Sequence, residues 1–186
     1  MQIILNEKNQ QLIIDKAVNI LGKGGMVVYP SDTVYGIAAD ATNESSVGKL
    51  DRLKDRRNDQ KYSYNFSDID MVKKFFKLED FQEEILNKYL PGPYTFVLHE
   101  NLSVRIPKDC IIVPITASLG KPTTATSANI TGKTPATNIK NLDAKIYLAA
   151  DLLIEGQEHS GAQPSTVVDI ITKDFKVLRP GSGIFP

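Results

Sequence analysis

Apolar residues recur with helical spacing at Leu12, Ile13, Ile14, Ala17, Val18, Ile20 and Leu21, which predicts a helix over Gln10–Gly22 that Gly24-Gly25 stops. The short apolar run Met26–Pro30 predicts a buried strand, and the polar run Ser31–Gly36 a turn directly after it. Val47, Leu50 and Leu53 mark one face of a second helix over Glu44–Lys54. Tyr62–Phe66 reads as a strand, and Asp68–Phe76 and Glu79–Leu90 as helices, the latter ended by Pro91-Gly-Pro93. Tyr94–His99 and Leu102–Ile106 have strand character and a short polar connection, as in a hairpin. Ile111–Leu119 fits helix or strand equally. Beyond it, Pro122–Thr126 reads as a strand, Asn138–Lys145 as a short helix, and Leu152–Glu155, Ser165–Ile171 and Phe175–Leu178 as the last strands.

Helices and strands alternate early and strands crowd the second half, which predicts an α/β fold: an open, twisted mixed sheet with flanking helices. With 186 residues and no linker or repeat, the chain reads as a single domain over residues 1–186. Composition narrows the function. The 41% hydrophobic content supports a sizeable core, and the balance of 22 basic and 22 acidic residues argues against a histone-like binder while leaving room for a local basic cleft. No signal pattern appears and no apolar run approaches the ~18 residues of a membrane span, so the expected location is cytoplasmic, with no membrane partner. One cysteine, Cys110, excludes a disulfide framework and reads as a buried small hydrophobe, and His99 and His159 are too few and too far apart for a zinc site or a triad.

Chemistry concentrates in polar loops at strand ends. Pro122-Thr-Thr-Ala-Thr-Ser-Ala-Asn-Ile-Thr-Gly132 brings backbone N–H groups, hydroxyls and one carboxamide towards one point, a way of holding phosphate or carboxylate oxygens without a metal. Lys54-Asp-Arg56 supplies fixed positive charge, although a helix C-terminus alone accounts for such a cluster. Ser31-Asp32-Thr33, Arg105 within an alternating strand, Gln163-Pro-Ser-Thr and Arg179 add hydroxyl and cationic groups at other strand ends. The Ser127-Ala-Asn129 run is more than a generic turn needs, while Lys54-Asp-Arg56, Ser31-Asp32-Thr33 and Arg105 each alone read as an ordinary turn or surface residue; together these loops describe a site for an anionic, nucleotide-like substrate. Neither a P-loop nor Gly-x-Gly-x-x-Gly after a strand is present.

In their order, Tyr29-Pro-Ser-Asp-Thr-Val-Tyr-Gly36, Lys54-Asp-Arg56, Leu90-Pro-Gly-Pro-Tyr-Thr95, Val104-Arg-Ile-Pro107, Ala125-Thr-Ser-Ala-Asn-Ile-Thr-Gly132, Pro164-Ser-Thr-Val-Val-Asp169 and Leu178-Arg-Pro-Gly181 resemble the YrdC-like threonylcarbamoyl-AMP synthase family in its short, single-domain form. The resemblance implies synthesis of threonylcarbamoyl-AMP from L-threonine, bicarbonate and ATP with release of pyrophosphate, for the threonylcarbamoyladenosine modification of tRNA. By motif it implies Lys54, Arg56, Ser127 and Asn129 as the catalytic set. Arg56, Lys61, Thr126, Ser127 and Arg179 are then the ATP contacts, and Thr33, Arg105, Ser165 and Asn65 the contacts to threonine. It implies Mg2+ arriving with ATP, no tightly bound protein metal, and contact with tRNA or downstream tRNA-modifying proteins. The family's Arg-Pro and Lys-Pro-Leu after Lys-x-Arg are replaced here by Arg56-Arg57-Asn-Asp-Gln60-Lys61-Tyr62-Ser63, and the loss of proline relaxes that loop. Two competitors remain. One is an RNA-binding module using the same cleft without catalysis, with Lys61-Tyr-Ser-Tyr64 as interleaved base and aromatic. The other is a related carbamoyl-transfer enzyme, whose relatives carry cysteine-rich zinc motifs.

Overall fold

Residues 1–56, 62–156 and 163–186 are described by a computed structural model. Its strands are β1 (Gln2–Ile4), β2 (Val27–Tyr29), β3 (Gly36–Ala38), β4 (Ser63–Asn65), β5 (Tyr94–His99), β6 (Leu102–Arg105), β7 (Thr123–Ser127), β8 (Leu152–Glu155), β9 (Thr166–Asp169) and β10 (Lys176–Arg179). The helices are α1 (Gln10–Gly22), α2 (Glu44–Lys54), α3 (Ile69–Phe75), α4 (Asp80–Tyr89), α5 (Ile112–Leu119) and α6 (Ala144–Ala149). The strands form one ten-stranded mixed sheet in the order β1-β8-β2-β3-β7-β4-β6-β5-β9-β10. The expected open α/β sheet is present, and β5 and β6 pair antiparallel as the hairpin pattern predicts.

Register decides which residues face which side. Directly paired residues share a face, so Tyr29, Gly36 and Ser127 lie on one side of the sheet with Ala125, Ser63, Asn65, Arg105, Thr95, Val167 and Arg179. The opposite side carries Val28, Ile37, Val104, Phe96 and Val168, buried, and Tyr64, partly buried, beneath α2 and α6 at one end and α3 and α4 at the other. On the first side α1 and α5 pack together over Val27, Tyr29, Ala38, Leu152 and Ile154. That pair covers only part of its face. The rest, from β7 to β10, carries a polar row of Ser63, Arg105, Thr95 and Arg179, which forms the floor of a cleft.

Several predicted boundaries shift for local reasons. The ambiguous Ile111–Leu119 run is a helix, since Pro114 falls in its first turn, where no N–H partner is needed, and Gly120 ends it at φ +69. The single helix expected over Asn138–Lys145 divides into a 3-10 turn, Ile139–Asn141, and α6. Asn138 Oδ1 accepts from Lys140 N and Asp143 Oδ1 from Lys145 N, so each caps its own start. Strands β1 and β3 have no counterpart in the predicted elements: β1 is mostly exposed, and β3 begins on Gly36, the last residue of the polar run.

The chain after β10 passes Pro164 and packs on the α4 side of the sheet, opposite the cleft. Phe185 packs with its ring centroid 4.9 Å from Tyr89 and 6.0 Å from Phe96, while Tyr94 Oη donates to Ile184 O at 2.8 Å and Ser182 N donates to Pro164 O at 3.0 Å. Phe185→Ala is expected to destabilise the fold by about 1–2 kcal/mol, about 2–8 °C in a thermal melt, because the ring is only partly buried. An unchanged midpoint in calorimetry would show that this segment contributes no stability.

Candidate functional site

At the first strand end, β2 runs into a tight polar corner. Ser31 Oγ donates to Val34 O at 2.7 Å, which leaves Thr33 to donate its hydroxyl proton to Ser31 Oγ across 3.1 Å. Arg105, projecting from β6, donates to Thr33 Oγ1 at 2.7 Å and pairs with the Asp32 carboxylate. The other Asp32 oxygen accepts from Lys108 N at 3.1 Å. Arg105 is thereby fixed in direction, with Asp32 as counter-ion and positioner.

At the end of β7, Lys54 organises the loop. Its side chain is buried, and Nζ donates to Ser127 O at 2.5 Å and Asn129 O at 2.7 Å, while Thr131 N donates back to Lys54 O at 2.9 Å. Asn129 Oδ1 accepts the Ser127 hydroxyl, and its Nδ2 donates to Ile130 O at 3.0 Å and Lys133 O at 2.6 Å. The amides of Ala128, Asn129 and Thr131 donate to the carbonyls of Tyr35, Ser127 and Lys54. The run therefore differs from the cradle of open N–H groups that its composition predicts: these amides and the ammonium hold the loop's shape. Burial first, and then the charge of Arg56, push the Lys54 ammonium down to about 8. Two residues further on, Arg56 reaches the cavity with its guanidinium 4.0 Å above the Tyr62 ring.

The third cluster lies at β5, β9 and β10. Thr95 Oγ1 and Ser165 Oγ stand 2.8 Å apart, and Arg179 Nη2 donates to Ser165 O at 2.8 Å. Burial, and then repulsion from Arg105, lower the proton affinity of Arg179. Two like charges share one floor, and a bound anion would relieve their repulsion.

These clusters line one cavity of about 360 Å³. It brings together Thr33, Arg56, Arg105, Thr126, Ser127, Asn129, Ser165 and Arg179, and its described lining includes no carboxylate. Lys54 and Asn65 are not in the lining. Lys54 sits behind the Ser127 loop, and Asn65, on the floor's side of the sheet but fully buried, has Nδ2 3.0 Å from Tyr29 Oη and 3.1 Å from Thr124 O. Lys61 and His159 lie outside the described residues. Cys110 is buried, as expected, with its thiol pushed up to about 12 chiefly by burial. Sequence reasoning passed over Tyr29 and Thr95, both in the lining. The signal that finds them is period two: Thr95 shares its face with Arg105 and Arg179, and Tyr29 shares its face with Ser127.

A family profile for Sua5/YciO/YrdC domains, described as telomere recombination, matches residues 19–181. A Methanocaldococcus jannaschii protein is 29% identical over 98% of this chain and 91% of its own length. The threonylcarbamoyl-AMP synthase of Xanthomonas euvesicatoria pv. vesicatoria is 27% identical over 90% of this chain and 97% of its own. Among solved structures, P. abyssi Sua5 complexed with L-threonine superposes with a TM-score of 0.89 at 26% identity, covering 97% of this chain and 57% of that longer one. The chain thus spans a little under three fifths of that P. abyssi Sua5 chain. E. coli YciO shares the fold, with a TM-score of 0.85 at 23% identity over 99% of this chain and 96% of its own.

Proposed function

The chain belongs to the Sua5/YciO/YrdC family, and from that premise we propose that it is an L-threonylcarbamoyladenylate synthase acting in the cytoplasm on L-threonine, bicarbonate and ATP. The observation that carries this reading is the single cavity that gathers Arg56, Arg105 and Arg179 with the hydroxyls of Thr33, Ser127 and Ser165. Three fixed cations suit a substrate set of carboxylate, carbamate and triphosphate.

In the proposed reaction the threonine amine takes up bicarbonate with loss of water, giving the N-carboxy anion. One carbamate oxygen attacks the α-phosphorus of ATP. The bond from that phosphorus to the bridging oxygen of the β-phosphate breaks, and pyrophosphate leaves with the electron pair. Arg105 holds the threonine carboxylate, and Thr33, its own proton given to Ser31, stands beside it as an acceptor for the amino acid's own donors. Arg56, Thr126 and the Ser127–Asn129 loop face the phosphates, and Arg179 with Ser165 stands between. Catalysis is positioning and charge stabilisation, with no covalent intermediate on the protein. Enclosure limits hydrolysis of the labile carbamate. Mg2+ belongs to the ATP: the Asp32 oxygens are already engaged by Arg105 and Lys108 N, and the described residues include no group of three or more metal-ligating side chains. The product is passed on for tRNA modification.

An RNA-binding module gains nothing from the aromatics near Lys61. Tyr62 is buried in the core, and Tyr64 packs against it, so neither ring is presented for base stacking. No helix among the described residues is long and apolar enough to cross a membrane. The test is pyrophosphate release from ATP with and without L-threonine and bicarbonate. Release is expected to require both, and Arg56→Ala to slow it by about tenfold or more, from loss of a charge-assisted phosphate contact. Release that ignores threonine would overturn the assignment.

A further inference from the structure

Tyr29 ends β2 and lies flat across the sheet over Gly36 of β3, where any Cβ would come within 2.5 Å of its Cζ and 2.6 Å of its Oη. The glycine therefore sets the height of the ring above the floor. Its hydroxyl reaches β4, where Oη accepts a hydrogen bond from Asn65 Nδ2 at 3.0 Å. Asn65 Nδ2 also lies 3.1 Å from Thr124 O, which can only accept, and 3.3 Å from Thr123 Oγ1, so nitrogen rather than oxygen faces Tyr29, while the buried Oδ1 has no partner among the described residues. With Asn65 as donor, the phenol proton must point elsewhere. No acceptor for it is present among the described residues, although Tyr29 is 3% exposed and lines the cavity. The neighbouring hydroxyl protons are committed: that of Ser31 to Val34 O, and that of Thr33 to Ser31. At this end of the cavity Arg105 supplies charge and Tyr29 the uncommitted hydroxyl donor.

We propose that the Tyr29 hydroxyl is a substrate-binding donor for the carboxylate of the amino-acid substrate, aimed beside Arg105 by Asn65 acting as a positioning residue. This assignment rests on the synthase reading. Burial keeps the phenol above its ordinary range, so it remains a donor throughout the working pH range. A hydroxyl facing a carboxylate makes a charge-assisted bond, stronger than a neutral one. Asn65 thereby contributes to threonine binding without lining the cavity.

The experiment measures KM for L-threonine and for ATP in the wild-type chain, Tyr29→Phe, Asn65→Ser and the double variant, with melting midpoints alongside. Tyr29→Phe keeps the ring and its packing. It is expected to raise KM for L-threonine about tenfold or more, with KM for ATP within about twofold. Asn65→Ser is expected to raise KM for L-threonine in the Tyr29 chain and to add nothing to Tyr29→Phe, a non-additivity that a merely structural role would not produce. If wild type uses threonine and Tyr29→Phe leaves its KM unchanged, or raises both KM values alike, the assignment falls and the synthase reading stands. If Asn65→Ser acts equally in both backgrounds, it does not work through Tyr29. A wild type indifferent to threonine overturns both readings.

Discussion

Arg105→Ala is expected to lower kcat/KM for L-threonine by about 100-fold or more, since it removes a charge-assisted contact and also leaves Asp32 without its counter-ion. Both side chains are 13% exposed, so the Asp32 charge would be only weakly screened. An unpaired carboxylate beside Arg105 repels the substrate that Arg105 attracts. The two effects separate in a double variant. Asp32→Asn with Arg105→Ala is expected to recover part of the loss, because the repulsion goes while the missing contact does not return. Steady-state kinetics over a range of threonine concentrations checks this. A double variant as poor as Arg105→Ala, or poorer, would mean that Asp32 acts only as a positioner of the loop through Lys108 N.

What the sequence reveals and what it conceals follow from the range of the interactions. Helices α1 and α2 are legible because their apolar faces repeat over 13 and 11 residues. β1 and β3 are not, because β1 is a mostly exposed edge strand, β3 begins on Gly36, and each is defined by partners far along the chain, β8 and β7 among them. The candidate site divides in the same way. Arg56, Arg105, Ser127 and Arg179 stand out as polar residues at strand ends, and motif order brings them together. Their division of labour depends on register and burial, which one-dimensional spacing does not carry. Lys54 and Arg56 are two residues apart and read alike as cleft cations. The fold sends one into the cavity and buries the other against carbonyl groups. Asn65 and Tyr29 are 36 residues apart and meet only because two strands lie between them in the sheet.

That burial makes Lys54 the residue with the largest expected effect on the phosphate end. Its ammonium turns the carbonyl oxygens of Ser127 and Asn129 towards itself. Carbonyl oxygens released towards the cavity would oppose a polyphosphate. Lys54→Met fills the volume but supplies no donor. It is expected to cut kcat/KM for ATP by about 100-fold, the scale of losing a preorganised anion-stabilising group. It is also expected to cost about 2 kcal/mol of stability, about 4–8 °C, from two buried carbonyls left unpaired. Titration gives an independent signature. The Lys54 pKa is lowered from 10.5 to about 8. Between these values the unfolded chain binds more protons than the folded one, so Lys54 makes stability rise with pH across that window relative to Lys54→Met. Below the folded value the penalty for burying charge is present in full, and above 10.5 it is gone. Activity runs the other way. A neutral amine can still donate to both carbonyls but has lost its charge, so kcat/KM for ATP should decline as pH rises through about 8. Opposite slopes of stability and activity over the same range are what a buried, working ammonium produces. If both fall together, or if Lys54→Met retains the same decline in activity, the titrating group is another residue and the loop is held by its amides alone.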